Sequence, residues 1–227
     1  MKNIESGRSM IEMLGVLAII GVLSVGGIAG YSRAMTKYRT NKTIDQVVML
    51  VSNIRTLYAQ QNNFQDLSNK IAYDLGVVPD DLVPVNFKND ESHSLLRNAF
   101  KGAVYIHAVE AYSGGEAATA FEITFDGLSR EACIAIATSD WGSGSDSGLI
   151  NVTFRHTSST ASLGSPTNNN ELGVYKYIGC TGAKDIGRIV ACPGGEIHLP
   201  LTVSDASNAC NCTGTLANHC SISWRYF

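Results

Sequence analysis

Hydrophobic positions near the start of the chain form one long apolar segment followed by an amphipathic one. Residues 13–31 carry no charge. A helix of that length reaches about 28 Å, close to the hydrocarbon thickness of a bilayer, so the segment is predicted to span a membrane. Apolar residues then recur at three- and four-residue steps as far as Tyr58, and residues 31–61 contain neither proline nor glycine. The spacing predicts that the same helix continues to about residue 61 with one apolar stripe.

The pattern changes after residue 100 to short β-branched and aromatic segments. Residues 103–109 and 120–125 have strand length and composition, and the glycines at 114 and 115 between them predict an antiparallel pair. Further strand candidates are residues 174–178, 196–203 and 221–226. The sequence therefore predicts an α+β fold in which a long N-terminal helix packs on an antiparallel β-sheet head domain.

Serine residues mark the predicted starts of three shorter helices. Ser129 is expected to cap a helix that ends near Ala137, because a serine oxygen accepts from the unpaired amides of the first turn. Ser92 and Ser204 are expected to cap short helices over residues 91–101 and up to residue 210. Residues 62–88, 139–148 and 156–170 are predicted loops, because they are rich in polar residues, proline or glycine.

A single carboxylate interrupts the apolar start of the chain. Glu12 is the only charged residue between Arg8 and Arg33. Gly27-Ile28-Ala29 resembles the cleavage site of a secretory signal peptide, with small residues on either side of position 28. Against this reading, the leading region is only weakly basic and Glu12 interrupts the apolar part. A plain single-pass anchor leaves the carboxylate unexplained, because a charge inside a membrane span is costly.

The stretch SGRSMIEMLGVLAIIGVLSVGGIAGYSRAM resembles the N-terminus of type IV prepilins. In that family, prepilin peptidase removes a short leader after a glycine, and glutamate is the fifth residue of the mature chain. Here Gly7, Arg8 and Glu12 occupy these positions, although the family usually has an apolar residue where Arg8 stands. The resemblance covers about the first 45 residues. It implies a leader at residues 1–7, a helix at 8–61 with the span at 13–31, and a pilin-like head at 62–227.

The same resemblance implies how the subunit assembles. The family's glutamate is thought to meet the N-terminal amine of a neighbouring subunit, so Glu12 and Arg8 are the predicted assembly residues. The helix holds the subunit in the membrane before assembly and packs against its copies afterwards. Gly26 and Gly30 have the spacing that lets helices approach closely.

Charge and cysteine content disagree about which side of the membrane the head occupies. Basic residues at positions 33, 37, 39 and 42 follow the span, which by the positive-inside rule places the head in the cytoplasm. Six cysteines in the second half of the chain favour an oxidising compartment instead. We give the cysteines precedence, because long domains translocate largely regardless of charge. The expected locations are the bacterial inner membrane before assembly and the cell-surface pilus afterwards.

The cysteines are candidates for disulfide bonds rather than for a metal site. They are Cys133, Cys180, Cys192, Cys210, Cys212 and Cys220. A C-x-C pair with no second matching pair departs from the spacing of zinc sites. Cys210 and Cys212 are expected to have different partners, because bridge geometry disfavours pairing at that spacing. Our hypothesis is Cys180–Cys192, Cys212–Cys220 and Cys133–Cys210, in a region that resembles the disulfide-bounded C-terminal part of pilins.

The remaining chemistry of the sequence favours a structural role. The five histidines are scattered, and no nucleophile-elbow, zinc-protease or phosphate-loop motif is present. A net charge of −3 does not indicate the basic surface that binds nucleic acid. The spacing of Asp140 and Asp146 misses the EF-hand pattern. We therefore expect no enzymatic activity, no cofactor and no metal.

The predicted function is a structural subunit of a type IV pilus or a pilus-like surface filament. Its expected partners are copies of itself and the membrane, and the resemblance further implies prepilin peptidase, an assembly ATPase and a platform protein. A minor pilin or a secretion pseudopilin is the alternative within the class. A secreted or singly anchored binding protein is the alternative outside it.

Overall fold

A computed structural model describes residues 10–85, 96–111, 116–142, 147–156, 176–178, 200–212 and 220–227. The chain divides into two compact units, Met1–Arg39 and Thr40–Phe227. Helix α1, Met10–Tyr58, begins in the first unit and ends in the second.

The first unit contains the apolar part of α1. The helix is regular here, and Ser24 satisfies its hydroxyl within the helix by donating to the carbonyl of Ile20 at 2.7 Å. The most apolar part of α1 is entirely unburied in the described chain. By length and composition α1 is the one helix in the described part of the chain that could cross a bilayer.

A six-stranded antiparallel sheet forms the centre of the second unit, with strand order β1-β2-β3-β6-β4-β5. The strands are β1 (Leu96–Arg97), β2 (Ala103–Val109), β3 (Ala120–Leu128), β4 (Leu149–His156), β5 (Lys176–Ile178) and β6 (Cys220–Tyr226). Three short helices accompany them: α2 (Asn69–Asp74), α3 (Arg130–Ala137) and α4 (Val203–Ala209), with a 3-10 turn at Asp80–Leu82.

One face of the sheet builds the hydrophobic core. The register pairs Ile123 with Trp224 and Val152 with Trp224, which places apolar side chains of adjacent strands in one row. The C-terminal half of α1 contributes Leu50 and Ile54, both fully buried, to the same cluster. Each fully buried side chain of this kind contributes roughly 1.5–3 kcal/mol. The predicted apolar stripe faces the core at Val47, Val51, Ile54 and Tyr58, whereas Tyr38 and Val48 of the same stripe are exposed.

The opposite face of the sheet is polar, yet its central side chains are also buried. They are Glu122, Thr124, Asn151, Thr153, Ser221, Ser223 and Arg225. Antiparallel sheets commonly leave their polar face in water, so these buried groups need partners. Arg225 Nη2 lies 2.8 Å from Glu122 Oε2, and Arg225 Nη1 donates to the carbonyl of Glu110 at 2.9 Å. The hydroxyls of Thr124 and Ser223 lie 2.7 Å apart.

The outer edge of β2 is covered by the short strand β1 and by residues 67–69. Asn69 Oδ1 accepts from the amide of Ile106 at 2.7 Å, and Asn69 Nδ2 donates to the carbonyl of Val104 at 2.9 Å. The amide of Ala108 donates to the carbonyl of Leu67 at 3.2 Å. Leu67 and Asn69 thereby satisfy backbone groups on the outer side of β2.

The sequence predicted the main elements of this unit correctly. The strands over residues 103–109, 120–125 and 221–226 are present, and β2 pairs with β3 antiparallel as expected. Ser129 caps α3, its hydroxyl accepting from the amide of Ala132 at 3.2 Å. The α+β class with a long N-terminal helix is confirmed.

Other element predictions were wrong, each where tertiary contacts decide the structure. Residues 62–88 were predicted as a loop, but they contain α2 and a 3-10 turn, stabilised by the Ser68 cap and Asn69. Leu96–Arg97 is a strand rather than part of a helix, because it pairs with β2. Strand β4 was not predicted, although it pairs with β6 along most of its length.

The region before the last strand also differs from its prediction. Val203 begins helix α4 instead of ending a strand over residues 196–203. The cap of α4 is Thr202 rather than Ser204, because the Thr202 hydroxyl accepts from the amide of Asp205 at 3.2 Å. The predicted strand at 174–178 is present as Lys176–Ile178. Residues 91–95, 143–146, 157–175 and 191–199, which carry parts of the other predictions, lie outside the described residues.

Candidate assembly segment

The carboxylate singled out in the sequence lies in the first turn of α1. Glu12 is exposed there, and a carboxylate near the N-terminus of a helix is stabilised by the helix dipole. Gly7 and Arg8, the predicted processing residues, lie outside the described residues.

The apolar side chains that follow Glu12 are exposed without interruption. We call residues 10–31 of α1 the assembly segment. Met10 is 82% exposed, Val22 75% and Ile28 70%. Exposed apolar surface costs roughly 25 cal/mol per Å² relative to burial. A segment of this length and exposure therefore requires a bilayer or other apolar helices around it.

Five glycines of the assembly segment are not required by any contact of the described chain. They are Gly15, Gly21, Gly26, Gly27 and Gly30, and a Cβ added at any of them would meet nothing within 4 Å. Glycine in a helix interior costs roughly 0.5–1 kcal/mol relative to alanine. Chemically, the glycines offer sites where the backbone of another helix can approach closely.

Within the second unit, Arg55 connects α1 to the end of strand β6. Its guanidinium lies 5.0 Å from the centre of the Tyr226 ring, and its Nε donates to the carbonyl of Phe227 at 3.2 Å. Burial raises the pKa of Tyr226 to about 12, and the nearby Arg55 charge opposes that rise. Burial lowers the pKa of Arg55, and Tyr226 opposes that change. Gly148 has a positive φ of 63° and lacks the Cβ that would collide with the Arg55 side chain.

Polar contacts hold the same half of α1 against residues 77–82. Gln46 Nε2 donates to Asp81 Oδ2 at 2.9 Å, and Lys42 Nζ lies 3.1 Å from the same oxygen. Asn53 Nδ2 donates to the carbonyl of Val77 at 2.8 Å. This half of α1 is therefore held by specific polar contacts as well as by its apolar stripe.

Two disulfide bonds are present among the described cysteines. Cys133–Cys210 joins α3 to the end of α4 across 77 residues of sequence. Cys212–Cys220 joins the following residues to the start of β6, with a separation of 8. Both pairs are those of the sequence hypothesis. The third expected pair, Cys180 with Cys192, lies outside the described residues.

Sequence reasoning missed the buried ion pair of Glu122 with Arg225 and the contact of Arg55 with Tyr226. The sequence contains a sign of the ion pair between Glu122 and Arg225. Each partner is the single charged residue in an otherwise uncharged strand sequence, FEITF for Glu122 and SISWRY for Arg225. The sequence contains no comparable sign of the contact between Arg55 and Tyr226, since the two residues are far apart in sequence.

Comparison with known proteins identifies the family. The family model described as Bundlin matches residues 32–176, which is more than half of the chain. The chain belongs to the bundlin family. This membership confirms the predicted relation to type IV pilins. The bundlin match lies mostly beyond the N-terminal residues that suggested the resemblance, so the two signals come largely from different parts of the chain.

Pilus proteins of Escherichia coli are similar to this bundlin-family chain. The chain is 25% identical over 151 residues to the "Major structural subunit of bundle-forming pilus" of strain O127:H6, covering 66% of this chain and 73% of that protein. The protein of the same name from Escherichia coli O111:H- matches with the same values.

Two solved pilin structures are also similar to the chain. TcpA, a type IV pilin from Vibrio cholerae El Tor biotype, has a TM-score of 0.47 and 14% identity, covering 84% of this chain and 99% of TcpA. A type IV b pilin from Salmonella typhi has a TM-score of 0.49 and 13% identity, covering 82% of this chain and 98% of that pilin.

Proposed function

We propose that the chain is a structural subunit of a type IV pilus, cut after Gly7 and assembled through helix α1. The observation that carries the proposal is the assembly segment, an uninterrupted apolar helix surface that the described chain leaves exposed. Membership of the bundlin family and similarity to two major pilus subunits support a structural rather than an enzymatic role. They also favour a major over a minor subunit.

The assembly segment suits two successive environments. Before assembly its apolar surface faces lipid in the inner membrane, where α1 is long enough to span the bilayer. After assembly the same surface packs against copies of itself in an extracellular filament. The five glycines support this second role, because nothing in the described chain packs against them and they permit close helix contacts.

Glu12 is proposed to set the position of each subunit against its neighbour. A carboxylate moved from water into an apolar helix bundle must find a partner or become neutral. Cleavage after Gly7 would create an amine at Arg8, close to Glu12 in sequence, and the amine of one subunit would pair with Glu12 of the next. Prepilin peptidase, an assembly ATPase and a platform protein are the proposed partners of this process.

The proposal is tested first by the N-terminus of the protein sheared from the cell surface. We expect intact mass and N-terminal sequencing to show a chain that begins at Arg8. A chain beginning near Gly30 would identify a signal peptide, and an intact Met1 found only in membranes would identify a plain anchor. Either result would exclude the proposed processing.

In the same strain, Glu12→Gln should reduce filament yield without preventing membrane insertion or cleavage. A hydrogen bond to a charged group contributes about 1.5–3 kcal/mol, so its loss at each subunit contact predicts a decrease of at least about tenfold. The amount of sheared filament is compared with that from Glu116→Gln, a control at an exposed glutamate of the second unit. Wild-type yield from Glu12→Gln would refute the pairing role.

A further inference from the structure

The two described disulfide bonds lie close to each other. The sulfur atoms of Cys133, Cys212 and Cys220 are all within 4.8 Å of one another. The Cys210 carbonyl oxygen lies 3.3 Å from the Cys212 sulfur and 4.0 Å from the Cys220 sulfur. We call these four residues the sulfur cluster. The sulfur cluster thus holds two separate disulfide bonds at a short distance from each other.

The four cysteines of the sulfur cluster differ in their exposure to solvent. Cys133 and Cys210 are fully buried and Cys220 is 1% exposed. Cys212 is partly exposed, and its neighbour Asn211 is exposed. Thiol–disulfide exchange requires a thiolate to reach a disulfide sulfur, so access controls which sulfur is attacked. A thiolate from solution therefore meets the Cys212 sulfur first.

We propose that the sulfur cluster is a thiol–disulfide exchange site that opens at Cys212 and passes the reaction to the buried Cys133–Cys210 bond. The reactant class is a small monothiol in its thiolate form. The inference concerns the second unit alone and does not depend on the proposed pilus function.

In the first step, the external thiolate forms a bond to the Cys212 sulfur. The Cys212–Cys220 bond breaks, and its electron pair leaves with Cys220 as a thiolate. In the second step, the Cys220 thiolate attacks the Cys133 sulfur, which lies within 4.8 Å. A Cys133–Cys220 bond forms, the Cys133–Cys210 bond breaks, and Cys210 becomes a thiolate that takes a proton from solvent. Each step forms one sulfur–sulfur bond and breaks one, so no further oxidant or reductant is needed.

The short distance between the two bonds favours the second step over direct attack from solution. The Cys220 thiolate is held next to its target, and such tethering gives effective concentrations of millimolar or higher. The external thiol must instead penetrate the core to reach Cys133 or Cys210. The Cys133–Cys210 bond is therefore protected from direct attack by thiols in solution, but it can react through the neighbouring Cys212–Cys220 bond.

The first test uses the wild-type chain. Oxidised protein is treated with glutathione, trapped by alkylation at successive times and mapped by mass spectrometry, with Cys180 and Cys192 followed in the same map. We expect the first glutathione adduct of the sulfur cluster on Cys212, followed by a Cys133–Cys220 species. A first adduct on another member, or loss of Cys133–Cys210 without the exchanged pair, would overturn the proposal.

The second test compares rates of Cys133–Cys210 cleavage in the wild type and in the Cys212→Ser/Cys220→Ser variant. Removing the accessible bond should slow cleavage by roughly tenfold or more, because the tethered thiolate is lost. Equal or faster cleavage would count against the relay. Far-ultraviolet circular dichroism and the urea midpoint of the variant establish that it is folded under the conditions of the assay.

Discussion

Individual residues on the polar face of the sheet show how charge is accommodated inside this head. Glu122 is 1% exposed and Arg225 5%, and their side chains meet at 2.8 Å. His107 Nε2 lies 4.0 Å from the other Glu122 oxygen. Two charges removed from water are stable only with close geometry and further hydrogen bonds, which the carbonyl of Glu110 helps to supply. The pair is therefore sensitive to the loss of either partner.

Glu122→Ala should reduce the free energy of unfolding by about 3–5 kcal/mol, because it leaves Arg225 buried without its carboxylate. The double variant Glu122→Leu/Arg225→Met removes both charges and should lose much less. Urea unfolding of the full chain in detergent, followed by circular dichroism, measures both effects. Glu116→Ala, at an exposed position, is the control and should change stability by no more than about 0.5 kcal/mol. Equal losses in the single and double variants would contradict this account.

At the scale of elements, the contact between α1 and β6 joins the start of the second unit to its last strand. Arg55 lies over the Tyr226 ring, and Tyr226 stacks on Phe121 of the neighbouring strand with ring centres 5.7 Å apart. Burial raises the pKa of Tyr226 to about 12 from its ordinary value near 10. The Tyr226 hydroxyl therefore binds its proton more strongly in the folded head than in the unfolded chain.

This raised pKa predicts a loss of stability at alkaline pH. Between pH 10 and 12 the folded state keeps the Tyr226 proton while the unfolded state releases it, so stability falls as the pH rises. The full contribution is present well below pH 10, and about 2 kcal/mol of it is lost by pH 12. Burial also raises the pKa values of Tyr58 and Tyr105, which add in the same direction.

The Tyr226→Phe variant measures how much of the alkaline loss of stability comes from Tyr226. Urea unfolding at pH 9, 10 and 11 should show a shallower decline in the variant than in the wild type, because phenylalanine has no proton to release. Identical slopes would exclude Tyr226 as a source of the alkaline sensitivity.

On the scale of the whole molecule, the two disulfides constrain very different lengths of chain. Cys133–Cys210 closes a sequence separation of 77 residues and Cys212–Cys220 one of 8. In the chain-entropy model these loops contribute about 4.5 and 2.5 kcal/mol respectively. The first bond also connects two helices, α3 and α4, that contact each other.

Removing the long-range bond should therefore destabilise the chain more than removing the short-range one. We expect Cys133→Ser/Cys210→Ser to exceed Cys212→Ser/Cys220→Ser by about 2 kcal/mol in the free energy of unfolding. Urea midpoints at a fixed pH and detergent concentration provide the comparison. The reverse order would show that packing around the sulfurs, rather than loop length, dominates their contribution.

The sequence predicted those features that depend on local periodicity. The long helix, strands β2, β3 and β6 and the Ser129 cap each follow from spacing or from a capping residue. Strand β4 and helix α2 did not, because the first is stabilised by pairing with β6 and the second by its contacts with β2. Of the candidate site, the apolar exposure of the assembly segment was predictable. Contacts such as that of Arg55 with Tyr226 required the three-dimensional structure.

The covered edge of β2 has a consequence for a protein that is packed at high density. An uncovered edge strand presents free amide and carbonyl groups that can recruit the edge of another molecule, which leads to amyloid-like aggregation. Asn69 and the backbone of Leu67 occupy those groups on β2. Neighbouring heads can therefore be crowded together without this edge nucleating an irregular sheet between them.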